Sequence, residues 1–489
     1  MITLKDILYK VSLEKVVGNT AVAFRELQFD SRKVGLDDVF IAIKGTQSDG
    51  HQFIKKAIDQ GALAVVCQQM PKEIINGITY LQVQDTQQAL AIMASHFYGN
   101  PSRELQLVGV TGTNGKTTVA TLLFKLFSAL GYYCGLVSTV QNQIGDTIIP
   151  STHTTPDAIQ LNALLDKMVQ AGCTHVFMEC SSHAIHQHRI TGLQFTGGAF
   201  TNLTLDHLDY HKTMQAYFEA KTELFTSEYA QKAVINIDDA YGEKLSNQTQ
   251  LPVISVSRKK SSADWYFEKA ELRNNSYDVE IKGIDGEVVK GNFPLIGDYN
   301  LDNLILAVAI THQLGISGEQ ISNTLSRLKS VPGRLETVNA GQSFIGLVDY
   351  AHTPDAVQNV IATARKLTSG KVIGVLGCGG DRDNSKRPLM GQALFQGCDV
   401  SIFTSDNPRS ESADSILKEM ISGLDLGQKG EVCIDRREAI SLAVNKANAG
   451  DVVLIMGKGH ESGQEINGVI TPFDDRLELT QAILKQGNK

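Results

Sequence analysis

Hydrophobic residues along this chain gather in short runs, and between the runs they recur every three or four positions, the rhythm of buried strands alternating with amphipathic helices. Up to residue 100, predicted strands at 39–43, 62–67 and 80–83 alternate with helices at 53–59 and 87–98, and Gly99-Asn100-Pro101-Ser102 reads as a linker. From 103 the order is strand 105–110, helix 119–130, strand 135–138, helix 156–171 and strand 175–180, which predicts a parallel sheet flanked by helices. Residues 264–296 instead alternate apolar and polar positions around Arg273-Asn274-Asn275-Ser276 and Asp285-Gly286, so antiparallel hairpins are expected at one edge. A buried helix at 301–314 follows. After the break at Pro332-Gly333-Arg334, strands at 344–348, 371–376, 400–404 and 452–456 again alternate with helices. The expectation is an α/β chain of three domains, 1–100, 101–333 and 334–489.

The richest chemistry lies where the strand at 105–110 meets the helix at 119–130. There the chain reads Thr111-Gly112-Thr113-Asn114-Gly115-Lys116-Thr117-Thr118, a glycine turn opening a helix, so backbone N–H groups and the helix N-terminus converge on phosphate oxygens. Lys116 adds a full charge and Thr117 a hydroxyl suited to magnesium. The spacing departs from GxxxxGK[ST], because position 110 is valine and the additional glycine is Gly112, which implies a tighter loop. Residues 112–118 are therefore expected to hold ATP or GTP.

Composition then narrows the partners. Acidic residues number 53 against 45 basic, a formal net charge of −8, which leaves no electrostatic footprint for nucleic acid or an anionic membrane. No apolar run approaches the ~20 residues of a membrane span, and the N-terminus lacks a signal pattern. The seven cysteines form no CxxC pair, as in reduced cytosolic enzymes. A monomer in the cytoplasm, working on soluble substrates, is expected.

Three more segments carry candidate chemistry. Glu179, in Glu179-Cys180-Ser181-Ser182-His183, falls at the carboxyl end of a strand, where open α/β sheets bind ligands, although a strand-end glutamate is more often a solvated residue. The run Asn202-Leu203-Thr204-Leu205-Asp206-His207-Leu208-Asp209-Tyr210-His211 suits metal or phosphate chemistry, or a loop whose aspartates cap local backbone donors. In the helix at 213–225, Lys221 stands three after Phe218, four after Tyr217 and seven after Met214, on the apolar stripe itself. Its ammonium must snorkel, find a partner or lose its charge; a neutral amine can add carbon dioxide and become a carbamate able to bind magnesium. His183, His186 and His188 lack partners at closed zinc-site spacing, and the glycines of 374–380 lack the dinucleotide fingerprint.

Taken together, these motifs and Tyr217-Phe218-Glu219-Ala220-Lys221 closely resemble the Mur ligase family of bacterial cell-wall synthesis, over essentially the whole chain. The resemblance implies an N-terminal domain for a UDP-sugar, a central ATPase domain with a phosphate loop, and a C-terminal dinucleotide-binding-like α/β domain that closes over an amino acid. It implies ATP and Mg2+ as cofactors, with Thr117 and Glu179 on one magnesium, and Glu179, His207 and carbamylated Lys221 on a second. Nucleoside contacts are implied for Asn300, Arg334 and Asp349. Contacts to a UDP-muramoyl dipeptide are implied for Ser31, Thr46, Gln47, Ser48, Thr154, Thr155, Ser181, Gln187 and Arg189.

The amino acid is implied by Asp406-Asn407-Pro408-Arg409, which matches the family's meso-diaminopimelate motif. Diaminopimelate carries a distal carboxylate that a planar guanidinium can hold, whereas lysine would leave Arg409 unpaired. Arg382, Gly457 and Glu461 fall on further amino-acid contacts. The rival readings are a lysine-adding stem-peptide ligase, a folylpolyglutamate synthase, a nucleotide switch without ligase activity, and a zinc hydrolase built on His207 and His211.

Overall fold

The computed structural model describes residues 2–45, 48–151, 153–273, 276–328 and 331–487. Three large sheets follow one another along the described chain, and Gly463–Ile466 with Val469–Pro472 forms a separate two-stranded one. The first has five strands in the order Leu13–Val17, Thr79–Val83, Ala64–Cys67, Val39–Ile41 and Leu27–Gln28, parallel except for the first. Its two outer strands are short or largely exposed and have no strong apolar run, so the sequence pattern does not announce them.

The second sheet has 11 strands. Gln106–Thr111 lies at its centre between His175–Glu179 and Gly197–Phe200, all three parallel. Every residue of the two flanking strands is buried, as expected where helices cover both faces of a parallel sheet. The expected antiparallel hairpins form one edge, Trp265–Arg273, Ser276–Lys282 and Val288–Phe293; the turn at Asn274-Asn275 lies outside the described residues. A second hairpin, Asn142–Ile144 with Thr147–Ile149, forms the opposite edge and was not expected from its polar sequence. Helices Lys116–Ala129 and Asp298–Gln313 share one core beneath the sheet, with Val119, Leu122, Leu126 and Phe127 among Leu304, Ile305 and Val308.

The third sheet runs Glu336–Val338, Ile345–Asp349, Val452–Met456, Val372–Leu376, Val400–Phe403 and Gly430–Val432. All but the first pair are parallel, so the loops after Asp349, Leu376, Phe403 and Met456 leave the same edge. That edge faces the phosphate loop. Among the described residues no helix is long and apolar enough to cross a membrane.

Candidate active site

Gly112 and Gly115 both take positive φ, 144° and 90°. A Cβ on Gly112 would lie 1.9 Å from Thr201 Oγ1, and one on Gly115 2.3 Å from Asn303 Oδ1, so the loop closes only with glycine at both positions. The N–H groups of Thr113 and Asn114 donate to the Asn202 carbonyl and Oδ1 at 2.8 and 3.0 Å. Lys116 Nζ donates to the Gly112 and Thr113 carbonyls at 3.0 and 2.8 Å. Thr201 Oγ1 and Asn202 Nδ2 both donate to the Asn114 carbonyl. The central strand thus presents the loop between two neighbours whose own ends supply side chains from either side.

From one side comes Glu179, 1% exposed. Its Oε1 accepts from Thr117 Oγ1 at 2.9 Å and from the Thr139 N–H at 2.7 Å, and Thr139 Oγ1 donates to Oε2 at 3.2 Å. A hydroxyl and a carboxylate in contact, both bordering the cleft, are oxygen donors that fit a magnesium ion retaining water and phosphate ligands. From the other side come Asp206 and His207. Burial would raise the Asp206 carboxyl, but hydrogen bonding to His352 and the charges of Lys386 and His207 hold it well below the usual carboxylate range. Burial pushes His207 down to about 3 against the pull of Asp206. No three His, Cys, Asp or Glu side chains among the described residues gather into a metal cage.

Lys221 is 1% exposed and sits beneath the loop. It does not snorkel: Nζ donates to the Gly112 carbonyl at 2.8 Å and lies 4.6 Å from the Tyr217 ring centre. Burial, reinforced by the charge of Lys116, pulls its pKa well below the ordinary lysine range. Lys116 and Lys221 share one carbonyl oxygen. A protonated amine cannot bind a cation and a neutral one is a poor donor for magnesium, which takes oxygen ligands, so the second metal set fits with Lys221 as a carbamate.

The C-terminal loops form the opposite wall of the same cleft, with Arg382, Asp406, Asn407, Arg409, Gly457 and Glu461 facing Lys116, Glu179 and His207. Arg409 has positive φ, 54°, and its Nη1 donates to the Gly380 carbonyl at 2.6 Å. Pro408 does not border the cleft; Gly380 packs on its carbonyl, so close that a Cβ there would come within 1.9 Å. Asn407 Nδ2 and Lys458 Nζ donate to Glu461 Oε2 at 2.8 and 2.9 Å. Lys386 crosses between the walls and reaches Asp206 Oδ1 at 3.1 Å.

The remaining expected residues divide between neighbouring clefts. Arg334 donates to Thr117 Oγ1 at 3.1 Å and stacks over Tyr350. It also borders a second cleft with Thr118, Asn303 and Asp349. Asn300 does not join them: its amide is spent on the Ile296 carbonyl, it accepts from Asn303, and it borders another cleft. Both oxygens of Asp349 already accept backbone N–H groups, from Leu335 and Ala351. Ser31, Ser48, Gln187 and Arg189 line a third cleft of about 680 Å3 beside the first sheet. Thr154 and Ser181 line the central cleft instead. Thr155 ties the two together, donating to the Glu179 carbonyl at 2.7 Å while its own carbonyl accepts from Arg189. Thr46 and Gln47 lie outside the described residues.

Sequence reading missed Thr139, Asn303, Lys386 and Lys458. Lys458 stands directly after Gly457 and three before Glu461, both singled out in the sequence, and was the signal passed over; nothing local distinguishes the other three.

His460 carries a pH dependence. Its Nδ1 is buried without a partner, and burial pushes its pKa down to about 3. An unfolded histidine titrates near ~6.5, so between those values the unfolded chain binds the additional proton and stability falls as pH is lowered through that window. The Tm should therefore drop between pH 7 and 5, and His460→Gln should flatten the slope; an unchanged slope in calorimetry would remove His460 from the account.

The chain matches known proteins along most of its length. Residues 24–98 match the Mur ligase family catalytic domain, 110–311 the Mur ligase middle domain, and 333–459 the Mur ligase glutamate ligase domain. The chain is 46% identical over 487 residues to the UDP-N-acetylmuramoyl-L-alanyl-D-glutamate--2,6-diaminopimelate ligase of Cytophaga hutchinsonii, covering 98% of this chain and 99% of that one. It is 43% identical to the protein of the same name from Bacteroides fragilis, covering 98% of each. A solved structure of such a ligase superposes with a TM-score of 0.71 at 33% identity, covering 100% of both chains.

Proposed function

This chain belongs to the Mur ligase family, and on that premise we propose that it is the ATP-dependent ligase that joins meso-diaminopimelate to UDP-N-acetylmuramoyl-L-alanyl-D-glutamate in peptidoglycan synthesis. The observation that carries this reading is one cleft walled on one side by the phosphate loop, Glu179 and His207, and on the other by Asp406, Asn407, Arg409 and Glu461. Phosphate activation and amino-acid capture share one space. The enzyme works in the cytoplasm on soluble substrates.

Ser31 and Ser48 of residues 1–100 hold the UDP-sugar together with Gln187 and Arg189 across the domain boundary, and the dipeptide runs past Thr154, Thr155 and Ser181 into the central cleft. Residues 101–333 hold ATP, with the nucleoside toward Asn303 and Arg334. Residues 334–489 bring the amino acid. The D-glutamyl side-chain carboxylate attacks the γ-phosphorus, ADP leaves, and the acyl phosphate is displaced by the diaminopimelate amine, releasing phosphate. Lys116 neutralises charge on the transferring group. Thr117, Glu179, His207 and carbamylated Lys221 would hold Mg2+, which supplies Lewis-acid stabilisation of phosphoryl oxygens. Arg409 and Arg382 orient the distal carboxylate, and Glu461 receives an ammonium. The Lys386–Asp206 and Asn114–Asp355 contacts keep the walls closed against water, which would otherwise hydrolyse the acyl phosphate.

Mass spectrometry of products formed from UDP-muramoyl dipeptide, ATP and equal diaminopimelate and lysine should find one amide product, carrying diaminopimelate, with one phosphate released per bond. Preferential lysine incorporation would overturn the choice of amino acid, and phosphate release without amide would favour a nucleotide switch.

A further inference from the structure

We propose that the buried ion pair Arg436–Asp475 is a positioning couple that fixes the width of the amino-acid pocket, and with it the preference for diaminopimelate; this rests on the function proposed above. Both side chains are fully buried, and neither borders the cleft. Arg436 Nε lies 2.8 Å from Asp475 Oδ1 and Nη2 2.7 Å from Oδ2. The rest of the fork goes to main chain: Nη2 donates to the Met456 carbonyl at 2.9 Å and Nη1 to the Ser405 carbonyl at 3.3 Å.

Those two carbonyls end different walls of the pocket. Ser405 precedes Asp406 after the strand Val400–Phe403, and Met456 precedes Gly457 at the end of Val452–Met456; the strand Val372–Leu376 runs between them, so no ladder joins the two ends directly. One guanidinium spans that gap. The walls meet so closely that a Cβ on Gly457 would come within 2.5 Å of Asp406 Oδ2, and Asn407 on one wall is bonded to Glu461 and Lys458 on the other.

A buried ion pair is a weak source of stability, since an apolar pair of similar volume often serves the core as well. What an apolar pair lacks is the planar fork that ties both carbonyls, and a lysine lacks it too. Distinguishing a ligand with a distal carboxylate from one without depends on bidentate geometry, and a displacement of ~1 Å can cost about 10^2-fold.

The test uses the full chain with Arg436→Met/Asp475→Leu, which removes both charges together and leaves none orphaned, and with Arg436→Lys. KM is measured for ATP, the UDP-dipeptide and diaminopimelate, with lysine as competitor and Tm alongside. For the double variant we expect KM for diaminopimelate to rise about 10- to 100-fold, KM for the other two substrates to stay within about 2-fold, and the preference over lysine to shrink. Arg436→Lys should share the defect, and serves by the same criteria if the double variant does not fold. A folded variant with wild-type KM for diaminopimelate, or three KM values rising together as Tm falls, would overturn the proposal. The wild-type control separates the premises: if it does not incorporate diaminopimelate, the proposed function has failed, whatever the variants do.

Discussion

Lys116→Met is expected to lower the rate of amide formation by about 10^3-fold while leaving the protein folded, because it removes the one formal charge that the phosphate loop aims along its own carbonyls. Methionine matches the aliphatic stem, so packing in the first turn of Lys116–Ala129 is preserved. The side chain is part-buried, and desolvation lowers the pKa of its ammonium despite the pull of Glu179 and Asp206. Such a charge costs little to reorganise when phosphate arrives and is worth more than one in water. Single-turnover phosphate release, read with product mass spectrometry, decides the matter: a variant within tenfold of wild type would remove Lys116 from phosphoryl transfer and with it the reading of the loop.

Lys221→Ala should be nearly as damaging, about 10^3-fold, because it deletes the desolvated amine from which an additional anionic ligand could be made beneath the loop. Two roles compete for this residue, and they give different results. If Lys221 works as a carbamate, acetate or propionate should restore part of the activity by occupying the vacated space, and the intact mass of wild-type protein should carry an increment of one carbon dioxide. If it works only by holding the Gly112 carbonyl, KM for ATP should rise and no carboxylic acid should rescue. Full activity in the alanine variant would dismiss both.

Much of this site was legible because its chemistry is local. The glycines and Gly-Lys-Thr-Thr of the phosphate loop lie in one run, and its conformation is dictated by positive φ and close approach at Gly112 and Gly115. Lys221 betrayed its burial through helical spacing, since residues three and four apart share a face whatever the rest of the fold does. Asn300, which the family resemblance put at the nucleoside, and Asn303 are neighbours on one helix, and only Asn303 borders the cleft with Thr118 and Asp349; rotation about the helix axis is set by packing against the sheet, which the local pattern does not record.

The sequence by itself determined the alternation of strands and helices, the antiparallel edge, the phosphate loop and the desolvated lysine, all consequences of period, turn chemistry and side-chain type within a few residues. Only the tertiary structure decided that Lys386 reaches Asp206 from 180 positions away, that Thr139 shares Glu179, and that Arg436 fastens two strand ends to each other. Those pairings depend on which strands lie side by side and which sheet edges face each other. Such long-range geometry is fixed by the burial of whole layers and leaves no periodic trace at the residues it brings together.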